Sequence, residues 1–247
     1  MALGLSGCSI NDALLWRMAA TCNNLQAVDL SQTACGDEGV GLLSLHCDLR
    51  ELSLRACEIS DDALHSLSLG ALSLRVLDIG WCKQVTDKGV ARLRFLTCLK
   101  TVTLSKCARV TFGGLRSVCA LPSLQDLSAA GLHGLPGTPE EMEAFRLLGT
   151  STKMRTLDVS VPMPPWTVGD RSIAALTSQD TSPPLAQIRL VNCNVTAASG
   201  RGHAAHLAQT LLTGVFSYHC FFFLLRPPIC SSFGTDSCVP RPHWRAN

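Results

Sequence analysis

The 247 residues are 47% apolar and 16% charged, with a net charge of +2. That is enough chain to bury a substantial core, and the balance gives no reason to expect nucleic acid or an acidic membrane surface as the main partner. The 13 cysteines are odd in number and form no CxxC pair and no ordered zinc spacing, which fits a reducing compartment with most thiols free.

From the N-terminus onward there is no basic segment leading into an apolar run, so no secretory signal is read. Leu5-Ser6-Gly7-Cys8 has the look of a lipoprotein cleavage box, but the apolar stretch before it is far too short. Without a secretory route the sequon at Asn194 and Thr196 carries no meaning.

Leu3 and Leu5 open a pattern that returns along the chain. It reappears as Leu25/Val28/Leu30, Leu49/Leu52/Leu54, Leu74/Leu77/Ile79, Leu99/Val102/Leu104 and Leu124/Leu127/Ala129. Met154/Leu157/Val159 and Leu185/Ile188/Leu190 extend it. The second apolar position falls at 3, 28, 52, 77, 102, 127, 157 and 188, at intervals of 25, 24, 25, 25, 25, 30 and 31. Fixed-period self-similarity of this kind marks a stacked repeat.

Each copy continues alike. Five residues after the second apolar position stands Cys8, Cys57, Cys82, Cys107 or Cys193, with Thr33, Leu132 and Pro162 in the other copies. A small apolar residue and a polar start follow, as in Ile10-Asn11-Asp12, Ile59-Ser60-Asp61 and Val85-Thr86-Asp87. Asn, Ser, Thr and Asp there can accept the free N–H groups of a helix start and favour its positive end. Apolar pairs three apart come next: Leu15/Met18, Val40/Leu43, Leu64/Leu67, Val90/Leu93, Leu115/Val118 and Ile173/Leu176. That spacing marks one buried helix face. The unit is a short strand, a turn and a returning helix, and it cannot cover its own apolar side, so copies must stack.

The run Leu74-Arg75-Val76-Leu77-Asp78-Ile79-Gly80-Trp81-Cys82, continuing through Val85-Thr86-Asp87 to Gly89-Val90, resembles the cysteine-containing leucine-rich repeats of F-box substrate receptors and antagonist-of-mitotic-exit proteins. Cys22 and Leu25 stand where that family has Cys-Pro-x-Leu. The resemblance covers about residues 1–200, is specific over 1–120 and weakens beyond. It implies an α/β leucine-rich-repeat solenoid, a horseshoe arc of about eight repeats with parallel strands on the concave face and helices on the convex one. It also implies substrate recognition for a cullin-based ubiquitin ligase. No F-box helices precede the repeats, since Met1 is already inside one. The expectation is therefore a truncated chain or an F-box-free relative.

The row Cys57, Cys82 and Cys107 reads as packing: a small, soft side chain in a crowded turn, its S–H satisfying a local carbonyl. Metal binding or redox sensing is the rival reading, because stacked strands bring thiols close. Cys22, Cys47 and Cys98, near helix ends, are read as packing too. No nucleophile elbow, phosphate loop or HExxH occurs, and Gly36, Gly39, Gly113 and Gly114 sit at structural slots. His203 and His206 form the only HxxH and are read as ordinary helix residues. The expectation is a non-enzymatic chain with no cofactor and no metal.

Binding in such an arc belongs to the concave strands. The exposed residue between the two core positions gives the column Asp29, Ser53, Asp78, Thr103, Ser128, Asp158 and Arg189, flanked by Glu51, Asp126, Ser31, Arg55, Ser105 and Ser160. One rim carries Arg50, Arg75, Lys100 and Arg155, read either as partner contacts or as a solvated face that keeps the arc in solution. At the other rim Trp81 is read either as an anchor or as partly buried.

Past residue 135 the repeat becomes irregular. Thr138-Pro139-Glu140-Glu141 signals an extra or longer helix over 139–149, and Pro162, Pro164, Pro165, Pro183 and Pro184 imply long loops. The solenoid is assigned to 1–214, regular over 1–135 and irregular with insertions over 136–214. Residues 215–247 are read as a poorly ordered, non-repeat tail, its composition suggesting translated non-coding sequence or a variant exon. Leu211–Leu225 is too short for a membrane span.

The functional expectation is a monomeric scaffold for protein partners, ligase components among them, in the cytoplasm or the nucleus. The alternative is a structural or cytoskeletal scaffold unconnected to ubiquitin.

Overall fold

The computed structural model describes residues 1–22, 24–132, 138–160, 168–177 and 185–189. Among the described residues, eight three-residue strands alternate with helices. In chain order they are β1 (Ala2–Gly4), α1 (Asp12–Thr21), β2 (Ala27–Asp29), α2 (Asp37–His46), β3 (Glu51–Ser53), α3 (Asp61–Gly70), β4 (Val76–Asp78) and α4 (Asp87–Val90). A 3₁₀ turn (Ala91–Phe95) extends α4, and β5 (Thr101–Thr103), α5 (Phe112–Cys119), β6 (Asp126–Ser128), α6 (Pro139–Gly149), β7 (Thr156–Asp158), α7 (Asp170–Thr177) and β8 (Gln187–Arg189) complete the order.

The strands form one parallel sheet in sequence order, β1 to β8. The repeat positions are in exact register: Val28, Leu52, Leu77, Val102, Leu127, Leu157 and Ile188 lie side by side. This is the leucine-rich-repeat α/β solenoid arc expected from the periodicity. Its core is the row of strand leucines packed on the inner helix faces. Leu15, Leu43, Leu64, Leu67, Val90, Leu93, Leu115 and Val118 are all fully buried, while Met18 is only half-buried.

The helix starts form as the sequence indicates, with one difference. Asn11, Ser60, Thr86 and Thr111 cap α1, α3, α4 and α5 by accepting from Leu14, Asp62, Lys88 and Gly113 N–H groups. The aspartates behind them reach across to the next repeat. Asp12 accepts from Gly36 N–H at 2.7 Å. Asp37 accepts from Ser60 N–H at 2.7 Å and Ser60 Oγ at 2.6 Å. Asp61 takes Thr86 N–H at 2.8 Å and Thr86 Oγ1 at 2.6 Å. Asp87 does the same to Thr111, at 2.7 and 2.6 Å. A side chain expected to serve its own helix thus clasps the following one. Gly89 and Gly114 make room for the clasp, because a Cβ at either would collide with Asp61 Oδ1 or Asp87 Oδ1.

The clasp changes where the period lengthens. In α5 Phe112 takes the aspartate slot, and its ring meets Phe145 of α6 at 6.3 Å between centroids. Between α6 and α7 the buried Glu141 accepts from Ser172 Oγ. The helix over 139–149 is the sixth repeat's own helix, lengthened to 11 residues, and not an additional one. Thr138 caps it and Pro139 occupies its first turn.

The prolines at 162, 164, 165, 183 and 184, Cys193, the sequon, His203 and His206, Leu211–Leu225, the end of the solenoid at 214 and the tail 215–247 lie outside the described residues.

Asp61→Ala is expected to remove about 2 kcal/mol of stability, the range for hydrogen bonds to a charged group, here with the half-buried Thr86 left unpaired. Its exposed neighbour Asp62, whose side chain makes no such clasp, should be near neutral on mutation to Ala. Urea denaturation of both variants measures the difference.

Candidate protein-binding face

The three strand residues of each repeat divide their duties. The middle one enters the core, and the outer two face the concave side. Register places Asp29, Ser53, Asp78, Thr103, Ser128, Asp158 and Arg189 in one column, with Glu51, Thr101, Asp126 and Thr156 in the parallel one.

Much of this face is stitched together by its own polar groups. Asp29 Oδ1 accepts from Ser31 N–H at 2.9 Å and from Ser31 Oγ at 2.5 Å. Ser31 Oγ also lies 2.7 Å from Ser53 Oγ. Asp78 accepts from Gly80 N–H at 2.8 Å and faces Arg55 Nη1 at 3.7 Å. Asp158 accepts from Ser160 N–H at 3.1 Å. Asp126 bridges neighbouring strands, taking Thr156 Oγ1 at 2.6 Å and Thr101 Oγ1 at 3.3 Å. Ser105 and Ser128 hydroxyls meet at 2.8 Å. Ser31, expected to be exposed, is buried at 8% because it serves as this stitch. The bonds hold the carboxylates in fixed positions, so a partner meets a preorganised polar surface. A shallow groove of about 310 Å³ crosses β5–β8 between Thr103, Asp126, Ser128, Asp158 and Arg189.

At the rim before the strands, Arg50, Arg75, Lys100 and Arg155 are all exposed. Their amides continue the ladder, as in Arg75 N–H to Arg50 O at 2.7 Å and Lys100 N–H to Arg75 O at 2.8 Å. Arg50 sits 3.8 Å from Asp48, and exposed pairs of this kind contribute little.

At the opposite rim the structure shows a slot that the sequence reading missed. In the first six repeats the backbone turns left-handed four residues after the second apolar position: Gly7, Gln32, Ala56, Trp81, Lys106 and Gly131, with φ between 57° and 73°. Each amide there bonds to the next repeat, for example Trp81 N–H to Ser105 O at 2.9 Å. Glycine at the slot in the first and sixth repeats was the available signal. An L side chain in this conformation costs on the order of 1 kcal/mol or more, and a bulky one is unusual. Trp81 is 45% exposed, and Lys106 Nζ lies 5.7 Å from the centre of its ring.

The thiol row is a packing device, as expected, but the carbonyl it meets is not local. Cys57 Sγ donates to Leu30 O at 2.9 Å, Cys82 Sγ to Leu54 O at 3.2 Å and Cys107 Sγ to Ile79 O at 3.1 Å. Each acceptor belongs to the preceding repeat, while the same cysteine's N–H bonds within its own repeat. Burial pushes the Cys82 thiol up to about 12 and the Cys107 thiol up to about 11. Cys47 is likewise buried and donates to Cys22 O. Cys98 departs from the expected packing role, since it is exposed in the turn after the 3₁₀ segment. Cys8 is exposed as well.

The chain is similar to known proteins in two comparisons. A family model described as Leucine Rich repeat matches residues 71–93, the fourth repeat through its helix. Among solved structures, a chain of the TLR13–ssRNA13 complex is 19% identical with a TM-score of 0.45. The match covers 76% of this chain and 28% of that one, so the present chain spans under a third of that protein's length. Repeat model and sheet topology together define a leucine-rich-repeat solenoid, a fold that generally mediates protein–protein interaction.

On brief treatment of the folded chain with iodoacetamide at mildly alkaline pH, Cys8 and Cys98 are expected to alkylate. Cys82 and Cys107, buried and held protonated, should react only after denaturant is added. Peptide mass mapping reads the four sites separately.

Proposed function

We propose that the chain is a protein-recognition module and that its concave columns and rims receive a substrate of a cullin-based ubiquitin ligase. The observation that carries the recognition part is the concave face itself, a row of register-locked, half-buried polar side chains on parallel strands that runs across seven neighbouring repeats to the exposed Arg189. The contacting residues are Asp29, Glu51, Ser53, Arg55, Asp78, Thr103, Asp126 and Asp158 on the strands, Arg50, Arg75, Lys100 and Arg155 on one rim, and Trp81 on the other. The ligase part rests on the likeness of Leu74–Val90 to the repeats of F-box receptors. The module acts as a monomer in the cytoplasm or nucleus, without catalysis of its own.

The arrangement suits a protein partner better than a polyphosphate. Carboxylates occupy the middle of the face and would repel a nucleic-acid backbone, while a folded protein can match acidic strands and basic rim together.

The test is affinity capture with the full chain, wild type against Arg75→Glu combined with Lys100→Glu. The expected result is recovery of cullin-ligase subunits together with a partner whose yield falls at least about tenfold in the variant. Capture without ligase subunits would replace the ligase reading by that of a structural scaffold. A partner retained by the variant would remove this rim from the contact surface.

A further inference from the structure

The rim formed by the turns after β4 and β5 carries an exposed indole and a set of cations that packing does not require. Trp81 occupies a left-handed backbone position, φ 66°, where the first and sixth repeats carry glycine. Its side chain is not used to fill the core, being 45% exposed. The left-handed turn itself serves the stack, since Trp81 N–H bonds to Ser105 O at 2.9 Å, but the exposed indole carried on it does not.

The charges around it are one-sided. Residues 56–59, 81–85 and 106–110 contain Lys83, Lys106 and Arg109 against a single carboxylate, Glu58. Lys83 and Arg109 are exposed, and among the described residues none of the three cations has a carboxylate in ion-pair range. Lys106 sits over the Trp81 ring, 5.7 Å from its centre. The cation at position 55 is already answered by Asp78 at 3.7 Å.

We infer that this rim docks an acidic segment of a partner protein, with an apolar or proline side chain of that segment laid on the Trp81 indole and its carboxylates met by Lys83, Lys106 and Arg109. The indole supplies a large contact surface at low entropic cost, and the unpaired cations supply steering and register. A polypeptide fits better than single-stranded nucleic acid, although bases also stack on indoles. A segment of a protein can set single carboxylates against the three cations, whereas a phosphate chain carries a charge at every step and a regular spacing. The inference rests on the protein-recognition reading and names the chemistry of one contact within it.

The experiment uses a phage-displayed random-peptide library, selected on the full wild-type chain and counter-selected on Trp81→Gly. Glycine suits the left-handed position, so this variant should keep or raise Tm while removing the anchor. The expected result is enrichment of peptides combining Asp or Glu with an apolar residue. Their synthetic, fluorescein-labelled forms should bind Trp81→Gly at least about tenfold more weakly, and Lys83→Glu combined with Arg109→Glu more weakly still.

The inference is overturned by failure to enrich any peptide, or by enrichment of basic ones. It is also overturned by equal binding to Trp81→Gly, by a fall of several degrees in the Tm of that variant, or by labelled oligouridylate binding the rim more tightly than the peptides. If selected peptides ignore Trp81→Gly while Arg75→Glu with Lys100→Glu still abolishes capture, this inference fails and the broader recognition reading stands.

Discussion

Each of the first six repeats holds polar groups whose partners lie on a neighbouring repeat. A helix-start aspartate clasps the next repeat's cap residue, and a turn cysteine donates to the preceding repeat's strand carbonyl. Buried acceptors and donors are costly to leave unpaired, so a repeat cannot separate from either neighbour without exposing or orphaning them. Together with the shared leucine row, this makes the stack the smallest stable object. Cysteine at this slot combines small size, apolarity and one weak donor, and Asp12, Asp37, Asp61 and Asp87 stand at repeat junctions.

The same dependence gives the concave surface its character. Because strand register is fixed from Val28 to Ile188, side chains separated by one period in sequence become lateral neighbours. Asp126 can then bridge Thr101 and Thr156, and Ser31 can reach Ser53. A surface stitched in this way has little freedom left to lose when a partner arrives. The change of clasp at Phe112, and then at Glu141, coincides with the longer repeats. The core continues there with a different junction, which adjusts the stacking without breaking the sheet.

The fold was legible in the sequence because the leucine spacing specifies both the strand face and the stack. The concave columns followed from two-residue alternation. Pattern alone tells which side a residue faces, not which neighbour it serves. For that reason Asp61 was assigned to its own helix and Cys82 to its own turn, although both bond across a repeat boundary. Ser31 was read as surface for the same reason, its hydroxyl being buried as a stitch. Cys98 was grouped with Cys22 and Cys47 by position, yet the turn there leaves it open. The left-handed slot was visible only as Gly7 and Gly131, and the bulk of Trp81 concealed it. None of these residues is anomalous once the neighbouring repeat is in place.

The measurement that bears most directly on the account is native-state hydrogen exchange of the interior ladder amides. Leu30, Leu54, Ile79 and Leu104 N–H groups each bond to a carbonyl of the following repeat. If the repeats stand only as a stack, these four should exchange slowly and with a common opening free energy close to that of global unfolding, with Leu5 at the first repeat opening sooner. An interior repeat that exchanges far faster than its neighbours, while they stay protected, would contradict it.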